Sequence, residues 1–192
     1  MSGNADPDDS DNSLMVGVQR GDLDRLSVLF ERYHRPLFGF FVRMTGNREA
    51  SEDLVQDVFL RVLRSRMNYR PGSQFRTWMY EIARNAAYDW RQRIGREIGL
   101  DSAGEIAVDG AVERAVEAEE ERRLLVTALA SLPPEKREVI VLSRCQGLKY
   151  EDVAAVLGCQ VGTLKVRVHR AMKMLRAAVE AQEGSQSWRA EK

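Results

Sequence analysis

The sequence predicts an all-α protein made of two small helical domains. Apolar residues recur at intervals of three and four along most of the 192 residues, which is the spacing of amphipathic helices. The sequence contains no convincing alternation of apolar and polar residues, as strands would require, and no repeat of 20–50 residues. An acidic stretch at residues 99–121 has no sustained apolar stripe, and it predicts a linker between the two domains.

The chain has no formal net charge, but its charges are segregated along the sequence. Residues 1–12 carry −4, residues 13–99 carry +5, residues 100–121 carry −7 and residues 122–192 carry +6. Two basic blocks separated by an acidic segment suggest nucleic-acid-binding domains joined by a segment that avoids nucleic acid. Arginine-rich helices that are merely solvated would give the same pattern, so charge alone leaves both interpretations open.

Composition excludes several classes of protein. The longest apolar runs are only a few residues, so no membrane contact is expected, and residues 1–13 lack the basic and apolar regions of a secretory signal. The spacing of Cys145 and Cys159 matches no metal or redox motif. No glycine-rich phosphate loop, nucleophile motif or metal-ligand cluster is present. We therefore expect a cytoplasmic protein that is not an enzyme and has no cofactor or metal.

The first domain is predicted to span residues 13–98. Residues 1–12, rich in Asp, Asn and Ser, are predicted to be a disordered acidic N-terminus. A short helix is expected from about Ser13, and a second helix after Gly21. Pro36 is expected to open a third helix that ends at Gly46, because proline suits the first turn of a helix.

Asn47 is a good N-cap for the next helix, which has one apolar stripe and one mostly polar face. The stripe consists of Leu54, Val55, Val58, Phe59, Val62 and Leu63. The outward face consists of Asp53, Gln56, Asp57, Leu60, Arg61 and Arg64.

Turn residues at 68–73 end this helix, and a long basic helix follows over residues 75–96. Its apolar residues at spacings of three and four are Phe75, Trp78, Met79, Ile82, Ala86 and Trp90. Its other faces carry Arg76, Arg84, Arg91, Arg93 and Arg96. The aromatic residues of this stripe are expected to be core rather than ligand contacts.

The second domain is predicted to span residues 122–180, followed by a polar tail at 181–192. A helix ends before Pro133, and Pro134 can open the next helix, expected to run to Arg144. Residues 150–170 then have the pattern of a helix-turn-helix. Gly158 can adopt the left-handed conformation that ends the first helix, and small Ala154 lets the two helices cross closely.

The second helix of this motif would present side chains suited to reading the major groove. Arginine pairs with guanine in a bidentate manner, glutamine pairs with adenine, and threonine and valine contact the thymine methyl group. The expected base readers are Gln160, Thr163, Val166, Arg167 and Arg170. Lys149, Lys165 and Lys173 would bind phosphates. Any small helical bundle can produce two helices around a glycine with a basic exterior, so the motif alone is compatible with a purely structural role.

Two separate stretches resemble the same family, the extracytoplasmic-function (ECF) subgroup of the bacterial sigma-70-type sigma factors. The first stretch is DLVQDVFLRV at 53–62, with FRTWMYEIARN at 75–85 and DWR at 89–91, and it looks like sigma domain 2. The second is LPP at 132–134, with GLKYEDVA at 147–154 and GTLKVR at 162–167, and it looks like sigma domain 4. Together the stretches cover most of residues 24–178 in the family's order.

The resemblance implies a protein that binds core RNA polymerase, recognises the −10 and −35 promoter elements and helps to open the DNA. The polymerase-binding residues would be Asp53, Gln56, Asp57, Leu60 and Arg61. The residues meeting the −10 element would be Tyr69, Arg70, Arg76, Arg84, Asn85, Tyr88 and Arg91. Those meeting the −35 element would be Lys149, Gln160, Thr163, Lys165, Val166, Arg167, Arg170 and Lys173.

The resemblance also implies promoter DNA and an anti-sigma protein as partners. Lys149 and Val166 stand where the family more often has small hydroxyl residues, so the preferred −35 sequence does not follow from the resemblance. The alternative is a helix-turn-helix regulator that acts without polymerase. That alternative accounts for residues 122–178 but leaves the motifs around Asp53 and Trp78 unexplained.

Overall fold

The computed structural model describes residues 10–97 and 124–190, which form two helical units. No strand occurs within these two ranges, and the all-α prediction is confirmed. The N-terminal unit contains α1 (Asp11–Gln19), α2 (Asp24–Thr45), α3 (Arg48–Arg64), a 3₁₀ turn (Arg66–Asn68) and α4 (Phe75–Glu97). The C-terminal unit contains α5 (residues 124–130), α6 (Pro134–Ile140), a π-helical turn (Val141–Cys145), α7 (Tyr150–Val156) and α8 (Val161–Ala190). The predicted linker lies outside the described residues.

Helix α1 begins earlier than its sequence predicts. The side chain of Ser10 caps the helix by accepting a hydrogen bond from the backbone N–H of Ser13 at 3.2 Å. Asp11 belongs to α1 and accepts hydrogen bonds from Arg32, at 2.9 Å, and from the hydroxyl of Tyr33. Of the predicted disordered N-terminus, residues 1–9 lie outside the described residues. For residues 10–12 the prediction is wrong, because contacts to α2 hold them in place.

Helix α2 runs without interruption through Pro36, so the prediction of a separate helix opening at this proline is wrong. Proline inside a helix removes one backbone hydrogen bond, to the carbonyl four residues earlier. Pro36 is exposed, so water can reach the backbone on that side of the helix. Buried side chains on both sides of the proline, including Leu29 and Phe40, hold the helix in one piece.

Helix α3 follows the predicted pattern closely. Asn47 Oδ1 caps it by accepting a hydrogen bond from the N–H of Ala50 at 2.8 Å, which confirms the predicted N-cap. Five of the six predicted stripe residues are buried, and the sixth, Leu63, packs against the core. The five are Leu54, Val55, Val58, Phe59 and Val62.

Helix α4 is buried more extensively than one apolar stripe predicts. Phe75, Met79 and Ala86 are buried as expected, but Tyr80 and Ala83 are also fully buried. The reason is that α4 packs against α1, α2 and α3 of its own unit and also against α7 of the C-terminal unit. Trp78, Ile82 and Trp90 are partly buried at the edge of the same core.

The C-terminal unit contains the predicted helix-turn-helix. Gly158, with φ of +60°, follows α7, and α8 begins at Val161. The four residues predicted to face inward from α8 are all buried: Leu164, Val168, Ala171 and Leu175. Pro134 opens α6 as predicted, and the helix continues as a π-helical turn. Helix α8 continues to Ala190, beyond the predicted end of the domain at residue 180.

The side chain of Arg137 connects the two units. It is only 3% exposed, and its guanidinium donates hydrogen bonds to backbone carbonyls at the end of α5: Leu129 at 2.8 Å, Ala130, and Leu132 at 3.2 Å. Its Nη1 also donates to the carbonyl of Met44, near the end of α2, at 2.8 Å. Burial, together with the charge of Arg91, lowers the pKa of Arg137 to about 10.

We expect Arg137→Met to destabilise the protein strongly. The substitution keeps much of the side-chain volume but removes the Arg137 donor from the carbonyls of Ala130, Leu132 and Met44. The carbonyl of Leu129 keeps the backbone N–H of Leu132, at 3.2 Å. Each buried polar group left unpaired costs about 1–3 kcal/mol, so a loss of at least about 3 kcal/mol in the free energy of unfolding is expected. Urea unfolding followed by circular dichroism measures it. Arg144→Met, at an exposed position of the adjoining π-helical turn, is the control; equal unfolding midpoints for the two variants would contradict the role of Arg137.

Candidate nucleic-acid interface

The outward side of α8 carries the residues predicted to bind the −35 element. Thr163, Arg167 and Arg170 lie at spacings of three and four and therefore share one face of the helix. Because the apolar side of α8 is buried against the rest of the unit, this face points away from it. All eight predicted residues are exposed: Lys149, Gln160, Thr163, Lys165, Val166, Arg167, Arg170 and Lys173.

The arrangement has the chemistry of a groove-reading helix. Lys149 immediately precedes α7 and Gln160 immediately precedes α8, so both lie at helix N-termini, where anions are attracted. Val166 is 49% exposed, so its methyl groups are accessible on the same surface. The surface combines hydrogen-bond donors, cations and one apolar contact, as base and phosphate recognition requires.

The second predicted surface, for the −10 element, is divided by the structure into three groups. Four of its residues are exposed and free to meet a ligand: Arg70, Asn85, Tyr88 and Arg91. Tyr88 is 62% exposed, so its ring is available for stacking on a base. Arg76 and Arg84 form the second group, because they are half-buried and hydrogen bond to residues of the C-terminal unit.

Tyr69 forms the third group, and the structure corrects its assignment as a DNA contact. Its side chain is 2% exposed and packs against Phe75 and Trp78, with ring centroids 6.4 and 5.2 Å away. Its hydroxyl donates to the carbonyl of Ser73 at 2.5 Å. Burial raises the pKa of Tyr69, and the charge of Asp11 adds to the rise. Tyr69 therefore shapes the loop before α4 instead of offering a stacking surface.

Helix α1 holds this loop from the other side. Gln19 Nε2 donates to the carbonyls of Arg66 at 2.8 Å and Tyr69 at 2.7 Å. Asn12 Oδ1 accepts from the backbone N–H of Phe75 at 2.9 Å and lies 3.2 Å from the Tyr69 hydroxyl oxygen. Asn12 thus caps α4 from a distant part of the chain. Sequence reasoning missed both residues; Ser10, a good N-cap residue followed at once by Asp11, was the available sign of a helix there.

The outward face of α3 is the third predicted surface. Asp53 and Gln56 are exposed, and Leu60 is 50% exposed. Arg61 is not a free cation: its Nε lies 2.8 Å from Asp57 Oδ2 and its Nη1 lies 2.7 Å from Asp89 Oδ2.

The ion pairs of Arg61 connect α3 to α4. Burial alone would lower the pKa of Arg61, but the hydrogen bond and charge of Asp89, with those of Asp57, raise it. Arg61 therefore stays charged and fixes the position of Asp57 on the α3 face.

Within residues 10–97 and 124–190, no three His, Cys, Asp or Glu side chains lie close enough together to hold a metal ion. In the same ranges no helix is both long and apolar enough to cross a membrane. Cys145 and Cys159 are half-buried free thiols, and burial raises the pKa of Cys145.

Comparison with known protein families finds two matches that follow one another along the chain. Residues 29–97 match Sigma-70 region 2, and residues 122–175 match Sigma-70, region 4. The first match begins within α2 and runs to the end of α4, and the second covers the helix-turn-helix.

Individual relatives match over most of the chain. The RNA polymerase sigma factor CarQ of Myxococcus xanthus is 36% identical over 163 residues, which cover 84% of this chain and 93% of CarQ. The ECF RNA polymerase sigma-E factor of Haemophilus influenzae is 30% identical over 182 residues, covering 89% and 96% of the two chains. Among solved structures, the sigma factor RpoE of Bartonella quintana, in complex with the anti-sigma factor NepR, is 30% identical with a TM-score of 0.69, covering 80% and 96%.

We expect Asn12→Ala to destabilise the start of α4. Losing a helix cap typically costs about 1 kcal/mol. Amide hydrogen exchange should report faster exchange in residues 69–78, and urea unfolding should report the lower stability. Asn68→Ala, in the exposed turn beside the same loop, is the matched control. Unchanged exchange in the Asn12 variant would show that this cap does not hold the loop.

Proposed function

Because this chain belongs to the ECF subgroup of the bacterial sigma-70-type RNA polymerase sigma factors, we propose that two of its exposed surfaces recognise promoter DNA and that the third binds core polymerase. The chain is an RNA polymerase sigma factor: it binds core polymerase, recognises −10 and −35 promoter elements and promotes DNA opening. The observation that carries this conclusion is the presence of both sigma regions, in order, in one chain. A helix-turn-helix regulator that acts without polymerase would not need the region matched by residues 29–97.

For the −35 element, we assign the exposed side of α8. Arg167 and Arg170, one helical turn apart, can each pair with a guanine, while Gln160 and Thr163 offer shorter hydrogen-bonding groups nearer the helix start. Lys149 flanks them, and Lys165 and Lys173 supply further phosphate contacts. Exposure of all these side chains, with the opposite side of α8 buried, supports the assignment.

For the −10 element, we assign α4 and the loop that precedes it. Opening a duplex requires unpaired bases to be stacked and their phosphates to be neutralised. The exposed ring of Tyr88 offers the stacking surface, and Asn85 offers hydrogen bonds to a base edge. Arg70, Arg76, Arg84 and Arg91 provide positive charge along the same region. Tyr69 positions the loop from inside.

For core polymerase, we assign the outward face of α3. Asp53, Gln56 and Asp57 present carboxylates and an amide to a basic partner surface, and exposed Leu60 adds an apolar contact. Arg61 contributes by holding Asp57 through the 2.8 Å ion pair. The side chains facing outward on this helix have no role in the core of the N-terminal unit, which is consistent with a docking surface.

We also propose a cytoplasmic location and an anti-sigma protein as regulator. Bacterial transcription takes place in the cytoplasm, and the sigma-70 regions of this chain act there. The Bartonella quintana sigma factor that resembles this chain was solved with an anti-sigma factor bound. Sigma factors are regulatory proteins, so we assign no catalytic activity to the chain.

Reconstituted transcription tests the proposed function. The purified chain is added to core polymerase and a promoter identified by mapping transcript 5′ ends after overexpression. Promoter-specific transcripts are expected only when both the chain and the core enzyme are present. DNA binding without any polymerase-dependent transcript would instead support a regulator that acts alone.

Arg167→Ala should weaken binding to the cognate −35 element by about 1–3 kcal/mol if this side chain reads a base. Competition binding on cognate and scrambled −35 DNA at one salt concentration separates base reading from phosphate binding. Loss on the cognate site alone indicates base reading. An equal loss on both sites would assign Arg167 to phosphate binding.

Asp57→Lys should weaken binding to core polymerase about 10-fold, because it places a cation where a basic partner meets a carboxylate. The matched control is Asp89→Lys, which breaks the other ion pair of Arg61 with the same change of charge but lies on α4. Fluorescence anisotropy of the labelled chain measures both affinities. Equal affinities for the two variants would remove the α3 face from the polymerase interface.

A further inference from the structure

Helix α1 holds both ends of an exposed segment that precedes α4. The segment consists of residues 70–74, all of which are exposed, and we call it the arch. At its first end, the side-chain amide of Gln19 donates to the backbone carbonyl of Tyr69 at 2.7 Å. At its second end, Asn12 Oδ1 accepts from the backbone N–H of Phe75 at 2.9 Å. Two side chains of one short helix therefore fix where the arch begins and ends.

The arch has a defined internal shape of its own. The backbone N–H of Ser73 donates to the carbonyl of Arg70 at 3.0 Å, which closes a tight turn. Gly72 has a φ of +93°, a conformation that residues with a side chain rarely adopt, so the turn depends on this glycine. The hydroxyl of Tyr69 donates to the carbonyl of Ser73 at 2.5 Å. Because the turn is closed by its own hydrogen bonds, the contacts with α1 determine the position of the arch as a whole.

Helix α1 is itself fixed to the rest of the N-terminal unit, so it can act as a rigid support. Asp11 accepts hydrogen bonds from Arg32, at 2.9 Å, and from the hydroxyl of Tyr33, both of α2. The ring of Tyr33 in turn packs edge-on against Phe75, with ring centroids 5.6 Å apart. The apolar side of α1 is buried in the core through Leu14, Met15 and Val18.

The hydrogen bonds of Gln19 act on the backbone next to a residue assigned to DNA. The carbonyl of Arg66 accepts from Gln19 at 2.8 Å and also from the N–H of Tyr69 at 3.2 Å, so it keeps one donor when the amide is removed. The carbonyl of Tyr69 belongs to the peptide bond that leads into Arg70. Gln19 therefore sets the orientation of this peptide, and with it the position from which the Arg70 side chain extends.

We propose that Gln19 and Asn12 are positioning residues for −10 recognition: by holding both ends of the arch, they set the preference of the chain among −10 sequences. Neither side chain is assigned to DNA, and both act through the arch. The proposal rests on the proposed function, in which the loop before α4 meets the −10 element. A purely structural role would lower the active fraction for every promoter equally, whereas a displaced arch changes the choice among −10 sequences.

The first experiment measures promoter choice with core polymerase. Three templates compete in one tube and give transcripts of different lengths: a mapped promoter, the same promoter with one −10 base changed, and the same promoter with one −35 base changed. The ratio of two transcripts reports the −10 or the −35 preference. Because all templates compete for the same enzyme, this ratio does not depend on how much of the variant is active.

Gln19→Met keeps an unbranched side chain of similar length but removes the amide donor. Its −10 preference should fall at least about 5-fold, because displacing a binding group by even about 1 Å is costly. Its −35 preference should stay unchanged, since α8 lies in the other unit. The control is Arg20→Met, at the exposed position next to Gln19, which should keep both preferences. An unchanged −10 preference in Gln19→Met, or an equal fall in both preferences, would overturn the proposal.

The second experiment uses a conservative substitution to restore the other contact. Asn12→Asp keeps an oxygen that can accept from the N–H of Phe75, whereas Asn12→Ala has none. The −10 preference of Asn12→Asp should stay within about 2-fold of the unmodified chain, because a carboxylate suits a helix N-terminus. That of Asn12→Ala should fall as in Gln19→Met. Equal −10 preferences in the two Asn12 variants would overturn the proposal.

A third measurement needs neither polymerase nor promoter and separates the two ways of failing. If the unmodified chain gives no promoter-specific transcript with core polymerase, the proposed function fails. Amide hydrogen exchange of the chain alone then decides whether Gln19 holds the arch. Exchange in residues 68–73 should be at least about 3-fold faster in Gln19→Met than in Arg20→Met, since local opening becomes easier. Equal exchange in the two variants would overturn the positioning role.

Discussion

The guanidinium group of Arg137 is the interaction on which the arrangement of helices depends most. The last carbonyl oxygens of a helix lack their usual intrahelical partners, and at the end of α5 one side chain of α6 donates to three carbonyls. The same group reaches a carbonyl near the end of α2, so the second unit is oriented on the first by a charged and directional contact. An apolar residue at this position could fill the space but could not specify the angle between the units.

The parts of the fold that were predictable are those determined by short-range pattern. The apolar spacing of α3 and α8 identified their buried sides, because a helix of 3.6 residues per turn brings such residues onto one face. Asn47 and Gly158 identified where helices begin and end, since each has a local conformational or hydrogen-bonding reason to be there. The residues of α8 that do not lie on its buried side were predicted to face outward, and they are exposed.

The parts that were not predictable depend on contacts between distant residues. Tyr69 lies in a loop with turn residues, and only the tertiary packing of Phe75 and Trp78 places it in the core. Asn12 and Gln19 act on a loop about fifty residues or more away, which no spacing rule reveals. Tyr80 lies outside the predicted apolar stripe of α4. It is buried because its ring packs against Phe40 of α2 and because, in a second contact, its hydroxyl donates to Gln146 of the C-terminal unit. The sequence contains no local sign of this second contact.

The contacts of Arg137 make the two units depend on each other. Arg137 belongs to the C-terminal unit, but one of its four acceptors, the carbonyl of Met44, belongs to the N-terminal unit and lies 93 residues away in the sequence. A substitution that moves the end of α2 can therefore weaken the packing of α6 without touching it. The stability of either unit, measured alone, would for the same reason differ from its stability in the whole chain.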